Sequence, residues 1–346
     1  MKAHQVTIKD IAKILGISIS TVSRALKNHP DISEETKVQV KDLAHKLNYE
    51  PNALALNLRR SKTNTIGVII PEIIHHFFSS VISGIEDVAY DMGYNVMICQ
   101  SNESYEREVI NAQALLCNRV DGVLISIAKT TLDFDHFRHF TNQGIPMVFF
   151  DRICPDIMTD RVITNDEGGA FLATEHLIKI GCKHIAHFAA PQHLLIGQGR
   201  FAGYQRALKQ YQIQFDPRLV LNCNTRDGAF EKAAQFLNDN PDVDGIFAVN
   251  DNTAIAVMQI INKLGKKIPE DIAIVGFGDG PDALITSPPL TTIEQKGYDI
   301  GTEAVKLLIH RIENESSSDS FQTKVIPPNL IMRESTDKEN VLSANV

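Results

Sequence analysis

Residues 7–28, TIKDIAKILGISISTVSRALKN, restrict the fold of this chain more than any other stretch. Apolar residues recur at helical spacing on both sides of Gly16, a residue type that ends a helix in a left-handed turn at low steric cost. Thr7 with Asp10 predicts a capping box for the first helix, and Ser18 predicts the cap of the second. The outer face of the second helix carries short polar groups and one arginine. This pattern predicts a helix-turn-helix unit; a helical hairpin that serves only packing is the alternative.

The charge distribution favours a helix-turn-helix that binds DNA over a hairpin that serves only packing. Residues 1–62 contain 11 Lys or Arg and 6 Asp or Glu, whereas the remaining residues contain 23 and 36. The first segment is therefore +5 at neutral pH and the rest is −13. A basic segment on an acidic chain indicates that only this segment approaches phosphate.

The rest of the chain predicts one more helix and then an α/β architecture. The third helix is expected from Ser33 to about Leu47, with Val38, Leu43, Ala44 and Leu47 facing inward. From Thr65 onward, buried apolar runs alternate with amphipathic helices, which is typical of a parallel sheet covered on both faces. The pattern occurs twice, so we expect an all-α head followed by a clamshell of two doubly wound parallel-sheet lobes. Ligands of such sheets bind at the carboxyl ends of the strands.

Two further features bear on the cellular compartment. No apolar run approaches the ~20 residues that span a bilayer, and the start, MKAHQVTIKD, lacks the apolar core of a secretory signal. The five cysteines are scattered and never spaced C-x-x-C, which favours reduced core thiols over a disulfide framework or a metal site. We therefore expect a cytoplasmic protein without a membrane partner.

The sequence closely resembles the lactose-repressor (LacI/GalR) family of bacterial transcription regulators. The resemblance begins with VTIKDIAKILGISISTVSRALKN and continues through ISEETKVQVKDLAHKLNYEPNALALNLRRSKTNTIGVIIP. Segments further along follow in family order: VDGVLI, IPMVFFDR, ITNDEGGAFLATEHLIKIGCKHIAHFA, GRFAGY, DGIFAVND, IPEDIAIVGF and PPLTTI. Almost the whole chain is covered, and the resemblance implies a clamshell like that of periplasmic binding proteins.

The resemblance also implies a hinge between head and clamshell. Such a hinge folds on operator DNA, where Leu58, next to Arg59, would wedge into the minor groove; a plain tether is the alternative. We therefore expect a head at 1–51, a hinge helix and linker at 52–64, and an effector-binding core at 65–346. Within the core, we expect an N-lobe of about 65–160 and 295–325 and a C-lobe of about 161–294 and 326–340.

Arg24 is the main candidate for reading bases. A guanidinium on a recognition helix can bind guanine O6 and N7, which is worth about 1–3 kcal/mol of discrimination. Ile19 and Ser20 occupy the family's other specificity positions, and hydroxyl groups and helix amino termini suit phosphate oxygens. Lys27 stands where the family commonly has Asn, so we expect a backbone contact there. The predicted DNA contacts are Thr7, Ser18, Ile19, Ser20, Thr21, Ser23, Arg24, Lys27, Asn28, Leu58 and Arg59.

Six residues near expected strand ends are candidates for binding an effector: Phe77, Phe78, Asp151, Arg200, Asn250 and Asp279. Carboxylate, amide and guanidinium groups over an aromatic floor suit a polyhydroxylated ring. The resemblance places all of them except Phe77 and Asp279 at family ligand positions. The family usually has Asp directly after GF, where this chain has Gly278, so Asp279 is expected to substitute. Helix capping by Asp151 or Asn250 is the alternative interpretation.

The sequence lacks the motifs of the common catalytic sites. It has no G-x-S-x-G, no phosphate-binding lysine loop and no HExxH, and His75 with His76 has no third metal ligand at useful spacing. We therefore expect no enzymatic activity, no metal and no cofactor.

The predicted function is sequence-specific transcriptional regulation. We expect a homodimeric repressor that binds a near-palindromic operator and senses a small metabolite, with a carbohydrate as the favoured ligand class. Residues after Arg333 show no heptad repeat, which favours a dimer over a tetramer. The alternatives are a regulator of the same family gated by a partner protein, and a sugar-binding protein without a role on DNA.

Overall fold

The computed structural model describes residues 6–49, 62–314 and 320–338. The chain divides into two compact units, Met1–Thr63 and Asn64–Val346. Leu58, Arg59 and most of the hinge predicted at 52–64 lie outside the described residues, so their roles stay predictions. None of the helices in the described ranges combines the length and apolar character that crossing a membrane requires.

The first unit contains α1 (Ile8–Leu15), α2 (Ile19–Leu26) and α3 (Glu34–Lys46). Their boundaries follow the capping signals of the sequence. The backbone N–H of Thr7 donates to Asp10 Oδ2 at 2.8 Å, and Ser18 Oγ accepts from the N–H of Thr21 at 3.0 Å. Gly16 ends α1 with φ +65°, the left-handed conformation in which glycine carries no steric penalty. The predicted helix-turn-helix is therefore confirmed.

A small apolar core holds these three helices together. Ile11, Val22, Ala25 and Val40 are fully buried at its centre. Val38, predicted to face inward, is instead 55% exposed. One face of α3 carries Lys37, Val40 and Ala44 into the core at spacings of three and four residues, and position 38 lies outside that stripe.

The second unit alternates strands and helices along its whole length. Its first part contains β1 (Thr65–Ile70), α4 (His76–Asp91), β2 (Asn95–Gln100), α5 (Tyr105–Cys117), β3 (Gly122–Ile125), α6 (Asp135–Asn142), β4 (Met147–Phe150) and β5 (Asp160–Thr164). The middle part contains α7 (Asp166–Lys179), β6 (Ile185–Ala189), α8 (Leu195–Gln210), β7 (Val220–Asn222), α9 (Arg226–Asp239), β8 (Gly245–Ala248), α10 (Asp251–Lys263), β9 (Ala273–Gly278), α11 (Asp282–Ile285) and β10 (Thr291–Glu294). The last part contains α12 (Gly297–Glu313), β11 (Thr323–Ile326) and β12 (Asn329–Ile331).

These strands form two six-stranded sheets, one in each lobe. The N-lobe sheet has the order β11-β5-β4-β3-β1-β2 with all pairs parallel. The C-lobe sheet has the order β12-β10-β9-β8-β6-β7, and its edge strand β12 is antiparallel to β10. Apolar side chains of the strands are buried on both faces under the helices, as expected for parallel sheets.

The boundary between the lobes differs from the one expected at residues 160 and 161. β5 pairs with β4 and with β11, so residues 160–164 belong to the N-lobe sheet. Its burial alternates between buried and half-buried positions, as in a strand near the edge of a sheet. Local pattern alone could not assign this strand to a lobe, because its partner β11 lies about 160 residues further along the chain. The chain then crosses between the lobes after β5, after β10 and after β11.

Candidate functional site

A cavity of about 650 Å³ lies between the two lobes, at the carboxyl ends of their strands. The N-lobe contributes residues that follow β1 and β4, and the C-lobe contributes residues that follow β6, β8 and β9. This is the position at which open α/β sheets bind ligands, because several strand ends and helix starts converge there. Two hydrogen bonds connect the lobes near it: His75 Nδ1 with Asn252 Nδ2 at 3.0 Å, and His193 Nε2 with the carbonyl of Lys129 at 2.7 Å.

Asp151 supplies a buried carboxylate to this cavity. It directly follows β4, has φ +57° and is 7% exposed. Among the described residues, the one hydrogen bond to its side chain comes from Ser126 Oγ at 3.5 Å, a long and weak contact. Burial raises the pKa of Asp151 to about 6, and the guanidinium of Arg152, whose Nε lies 3.9 Å from Oδ2, opposes that rise. The carboxylate thus has acceptor capacity left for a ligand.

Arg200 enters the cavity from α8 and is held on three sides. Its Nε donates to Asp166 Oδ1 at 2.7 Å, and its Nη1 donates to the carbonyl of Val249 at 2.5 Å. The guanidinium carbon lies 3.7 Å from the centre of the Phe277 ring, a cation–π arrangement. Burial raises the pKa of Asp166 and the Arg200 charge opposes the rise. A guanidinium fixed in this way is preorganised, so its orientation costs little entropy when a ligand binds.

Two phenylalanine rings and the Asn250 amide also line the cavity. Phe77 and Phe78 meet edge to face, with ring centres 5.2 Å apart. Asn250 Oδ1 accepts from the N–H of Thr253 at 2.8 Å, and its Nδ2 donates to the carbonyl of Asn224 at 3.0 Å. Asn250 therefore caps α10, as the alternative interpretation held, and also lines the cavity. Asp151 does not precede any helix in the described ranges, so it caps none of them.

Asp279 does not join the other five predicted effector residues. Its carboxylate accepts from Arg333 Nη2 at 2.6 Å, and it lines a separate recess beside the cavity. The segment that follows β9 is held by Asp251. Its Oδ1 accepts from Thr292 Oγ1 at 2.5 Å, and its Oδ2 accepts from the N–H of Gly280 at 3.1 Å. The Asp279 carboxylate is thus paired with Arg333 beside the cavity, and its role in binding an effector stays a prediction.

In the first unit, the predicted DNA contacts lie on or next to α2, except Thr7, which lies at the start of α1. Ile19 is 46% exposed, and Ser20, Arg24, Lys27 and Asn28 are also exposed. The nearest acid to Arg24 is Asp31, at 3.9 Å from Nη1, and both side chains are mostly exposed. Such a surface pair contributes little, so the guanidinium can exchange this partner for another acceptor. Thr7 and Ser18 stand at the amino termini of α1 and α2, while Thr21 and Ser23 are half-buried.

Comparisons with known proteins match both units. Residues 7–52 match the family described as bacterial regulatory proteins, lacI family, and residues 174–336 match the periplasmic binding protein-like domain. The ribose operon repressor of Halalkalibacterium halodurans is 34% identical over 95% of this chain and 97% of its own length. The chain belongs to the lacI family of bacterial regulatory proteins.

Other members of the lacI family support the same assignment. The HTH-type transcriptional repressor PurR of Vibrio vulnificus is 33% identical over 96% of this chain and 99% of its own. The Lac repressor dimer bound to operator and the anti-inducer ONPF has a TM-score of 0.82 at 27% identity, over 96% of this chain and 99% of that one. A LacI family regulator from Enterococcus faecium with bound ribose has a TM-score of 0.68 at 30% identity, over 78% and 98%. The predicted family and the two-lobe fold are therefore confirmed.

Gly278 marks a departure of this lacI-family chain from the pattern stated above. It has φ +145°, and a Cβ built on it would lie 3.1 Å from Asp251 Oδ2. A carboxylate at this position would therefore face the buried carboxylate of Asp251, whose pKa burial already raises.

Sequence reasoning missed several residues that line or support the cavity. Arg152 Nη1 donates to both carboxylate oxygens of Glu103, at 2.9 and 2.8 Å, and its guanidinium carbon lies 5.8 Å from the Phe78 ring. Asp166 and Phe277 hold Arg200, as described above. One signal was available: Arg152 directly follows Asp151 in the segment FFDR. The other pairs join distant positions and leave no local trace.

A metal site has no support in the part of the chain that the structure describes. No group of three His, Cys, Asp or Glu side chains is placed to bind an ion among those residues. His75 Nε2 instead contacts Glu72 Oε2 at 2.7 Å.

Proposed function

We propose that this chain is a transcriptional repressor that binds an operator through α2 and a small neutral sugar in the cavity between its lobes. The observation that carries the proposal is the arrangement of Asp151, Arg200 and Asn250 around a floor of Phe77 and Phe78. A carboxylate, a guanidinium and an amide can pair with hydroxyl groups in both directions, and aromatic faces suit the apolar side of a sugar ring. Such a regulator would act in the cytoplasm, on chromosomal DNA, and not as an enzyme.

Ribose is the first candidate effector. A relative that shares 34% of its residues with this chain is a ribose operon repressor, and a related regulator has been solved with bound ribose. The cavity of about 650 Å³ exceeds what one pentose requires, so bound water or a larger sugar can also be accommodated.

A purine is the competing effector class, because other relatives are PurR repressors. Two cavity positions, Leu194 and Ile196, are apolar here. By resemblance, members that bind purines use polar groups at these positions. A nucleobase would then leave its ring nitrogens without partners on this side, which weakens binding.

Thermal unfolding of the full-length protein tests the effector. Ribose, other pentoses, hexoses, sugar phosphates, hypoxanthine and guanine are added separately, and a ligand at 100 times its dissociation constant should stabilise the folded state by about 2.7 kcal/mol. The stabilisation should disappear in Asp151→Asn and persist in Asp239→Asn, whose side chain is exposed on α9. Stabilisation by a purine and by no sugar would contradict the proposal. If none of these compounds stabilises the protein, a regulator gated by a partner protein is favoured instead.

Selection of binding sites from random double-stranded oligonucleotides tests the DNA claim independently. We expect recovery of near-palindromic sites, since two helix-turn-helix units of a dimer read two half-sites. Arg24→Ala should weaken binding to the selected site by about 1–3 kcal/mol and relax the sequence preference at one position of each half-site. Arg218→Ala, at an exposed position of the C-lobe, serves as the control.

A further inference from the structure

A second cavity, which we call the side pocket, lies beside the main cavity and has a volume of about 240 Å³. The N-lobe wall contains Ile127, Leu132 and Phe134, and the C-lobe wall contains Leu194, Leu195 and Ile196. Leu194 and Ile196 also line the main cavity, so the two cavities share part of one wall. The volume exceeds the ~150 Å³ of an apolar cavity that is known to bind benzene.

Most polar groups of the side pocket already have partners; among the described residues, Arg152 Nε is a buried donor without a hydrogen-bond partner. Thr131 Oγ1 donates to Glu108 at 2.7 Å, and Gln198 Nε2 donates to the carbonyl of Gln192 at 2.8 Å. His193 Nε2 is bonded to the carbonyl of Lys129 at 2.7 Å, and the Arg152 guanidinium is paired with Glu103. With most of these groups already paired, a charged ligand would lose its hydration in exchange for few new hydrogen bonds, whereas an apolar ligand has no such hydration to lose.

Apolar surface at the mouth is left in contact with water. Leu132 is 74% exposed and Leu195 is 42% exposed, while Ile127 deeper in the pocket is 5% exposed. A molecule seated here would remove the two leucines from water, and burial of apolar surface is the main favourable term in such binding. Occupancy would also add contacts to both lobes at once, so it would affect their relative arrangement.

We propose that the side pocket binds a small uncharged apolar molecule of one or two rings, as a second site distinct from the sugar cavity. This proposal goes beyond the function proposed above and does not depend on it. Because both lobes contribute to both cavities and Leu194 and Ile196 line each of them, we expect occupancy of one cavity to change the affinity of the other.

Indole is a suitable probe, because the chain contains no tryptophan and indole emission can be excited apart from its seven tyrosines. The full-length protein is titrated into indole. We expect a saturable blue shift of the emission, as the ring leaves water for an apolar wall. Proportional growth of the signal without saturation would show nonspecific partition and would overturn the proposal.

Two variants at the mouth locate the site. Leu132→Glu and Leu195→Glu each place a carboxylate where the ring should sit, and each should weaken indole binding at least about tenfold. Met332→Glu is the matched control, because Met332 is 69% exposed elsewhere on the C-lobe and its substitution should leave the affinity unchanged. All three positions are exposed, so unchanged melting temperatures can confirm folding. Affinity within about twofold of the unsubstituted protein in both mouth variants would overturn the assignment.

Competition separates this proposal from the sugar site. Indole binding should persist in Asp151→Asn, and saturating ribose should alter the indole affinity without abolishing its binding. If ribose does not bind and indole does, the sugar proposal fails while the side pocket stands. Full competitive displacement by ribose would instead place indole in the main cavity and overturn the second site.

Discussion

At the scale of single residues, the cavity depends on how completely each charged side chain is already paired. Arg200 and Arg152 have carboxylate partners, whereas the Asp151 carboxylate has one weak hydrogen bond among the described residues. The largest gain from a ligand hydroxyl group is therefore expected at Asp151, because a buried acceptor without a strong partner costs free energy until it is satisfied. The same burial gives this residue a pKa close to physiological pH.

Effector affinity should fall as the pH drops through the Asp151 pKa of about 6. The ionised form accepts hydroxyl groups and the protonated form accepts fewer, so the dissociation constant for ribose should rise about tenfold from pH 7 to pH 5. Asp151→Asn should bind more weakly and show little pH dependence. Calorimetric titrations at several pH values measure this, and tighter binding at pH 5 would contradict it.

The raised pKa of Asp151 also makes the free energy of unfolding depend on pH. The pKa of Asp151 is higher in the folded protein than in the unfolded chain, so the folded state holds this proton more tightly. The contribution of Asp151 to the free energy of unfolding therefore falls as the pH rises from about 4 to about 6. The fall should be smaller in Asp151→Asn, as measured by urea denaturation of the protein without ligand.

Gly278→Ala is a third prediction at this scale. With φ +145° and a Cβ position 3.1 Å from Asp251 Oδ2, an alanine is strained by its backbone and crowds a buried carboxylate. We expect a loss of about 1–3 kcal/mol of stability. Gly265→Ala, where a Cβ would have open space at φ +73°, is the control and should cost less. Equal losses in urea denaturation would show that the contact with Asp251 is unimportant.

At the scale of elements, one buried side chain holds the segment that borders both cavities. Glu108 on α5 is fully buried and accepts from the N–H of Ala128 and from Thr131 Oγ1, both at 2.7 Å. His136 Nε2 on α6 lies 3.1 Å from the same carboxylate. The segment between β3 and α6 therefore takes its position from a helix rather than from its own sequence.

Glu108→Gln should destabilise this segment. An amide has one acceptor oxygen and presents an N–H₂ group to at least one existing donor, so we expect a loss of about 1–3 kcal/mol. Glu106→Gln on the same helix changes an exposed residue and should cost less than about 0.5 kcal/mol. Urea denaturation compares the two, and faster amide exchange at residues 127–131 should accompany the loss. Similar stabilities would indicate that the segment is held by other contacts.

At the scale of the whole molecule, the two proposed functions lie in different compact units and in regions of opposite charge. Residues 1–62 are +5 and the others −13, so operator binding should weaken steeply as salt concentration rises. If effector and operator influence each other, thermodynamic linkage requires the two effects to be equal. We expect a coupling free energy of about 1–3 kcal/mol.

The linkage can be measured in both directions. The operator dissociation constant is determined with and without saturating ribose, and the ribose dissociation constant with and without operator. The two factors should agree. Operator affinity unaffected by a sugar shown to bind the cavity would contradict control by that sugar.

Sedimentation should show a dimer. A dimer is expected because two helix-turn-helix units read the two half-sites of a near-palindromic operator. A stable tetramer at micromolar concentration would be the contrary result.

The helix-turn-helix, the alternation of strands and helices, and the family can all be predicted from the amino-acid sequence. The signals for these features lie within a few residues of each other. For example, Ser18 caps α2 and Gly16 ends α1 through contacts within their own helices. Three features depend on the folded chain: β5 joins the N-lobe, Asp279 pairs with Arg333, and Glu103 binds Arg152. The crossings between the lobes after β5, β10 and β11 bring β5 beside β11 and Asp279 beside Arg333, whereas Glu103 and Arg152 meet where strands of the N-lobe sheet end. Local periodicity carries no information about such crossings, since a strand or an ion pair is completed by whichever residue the folded chain brings beside it.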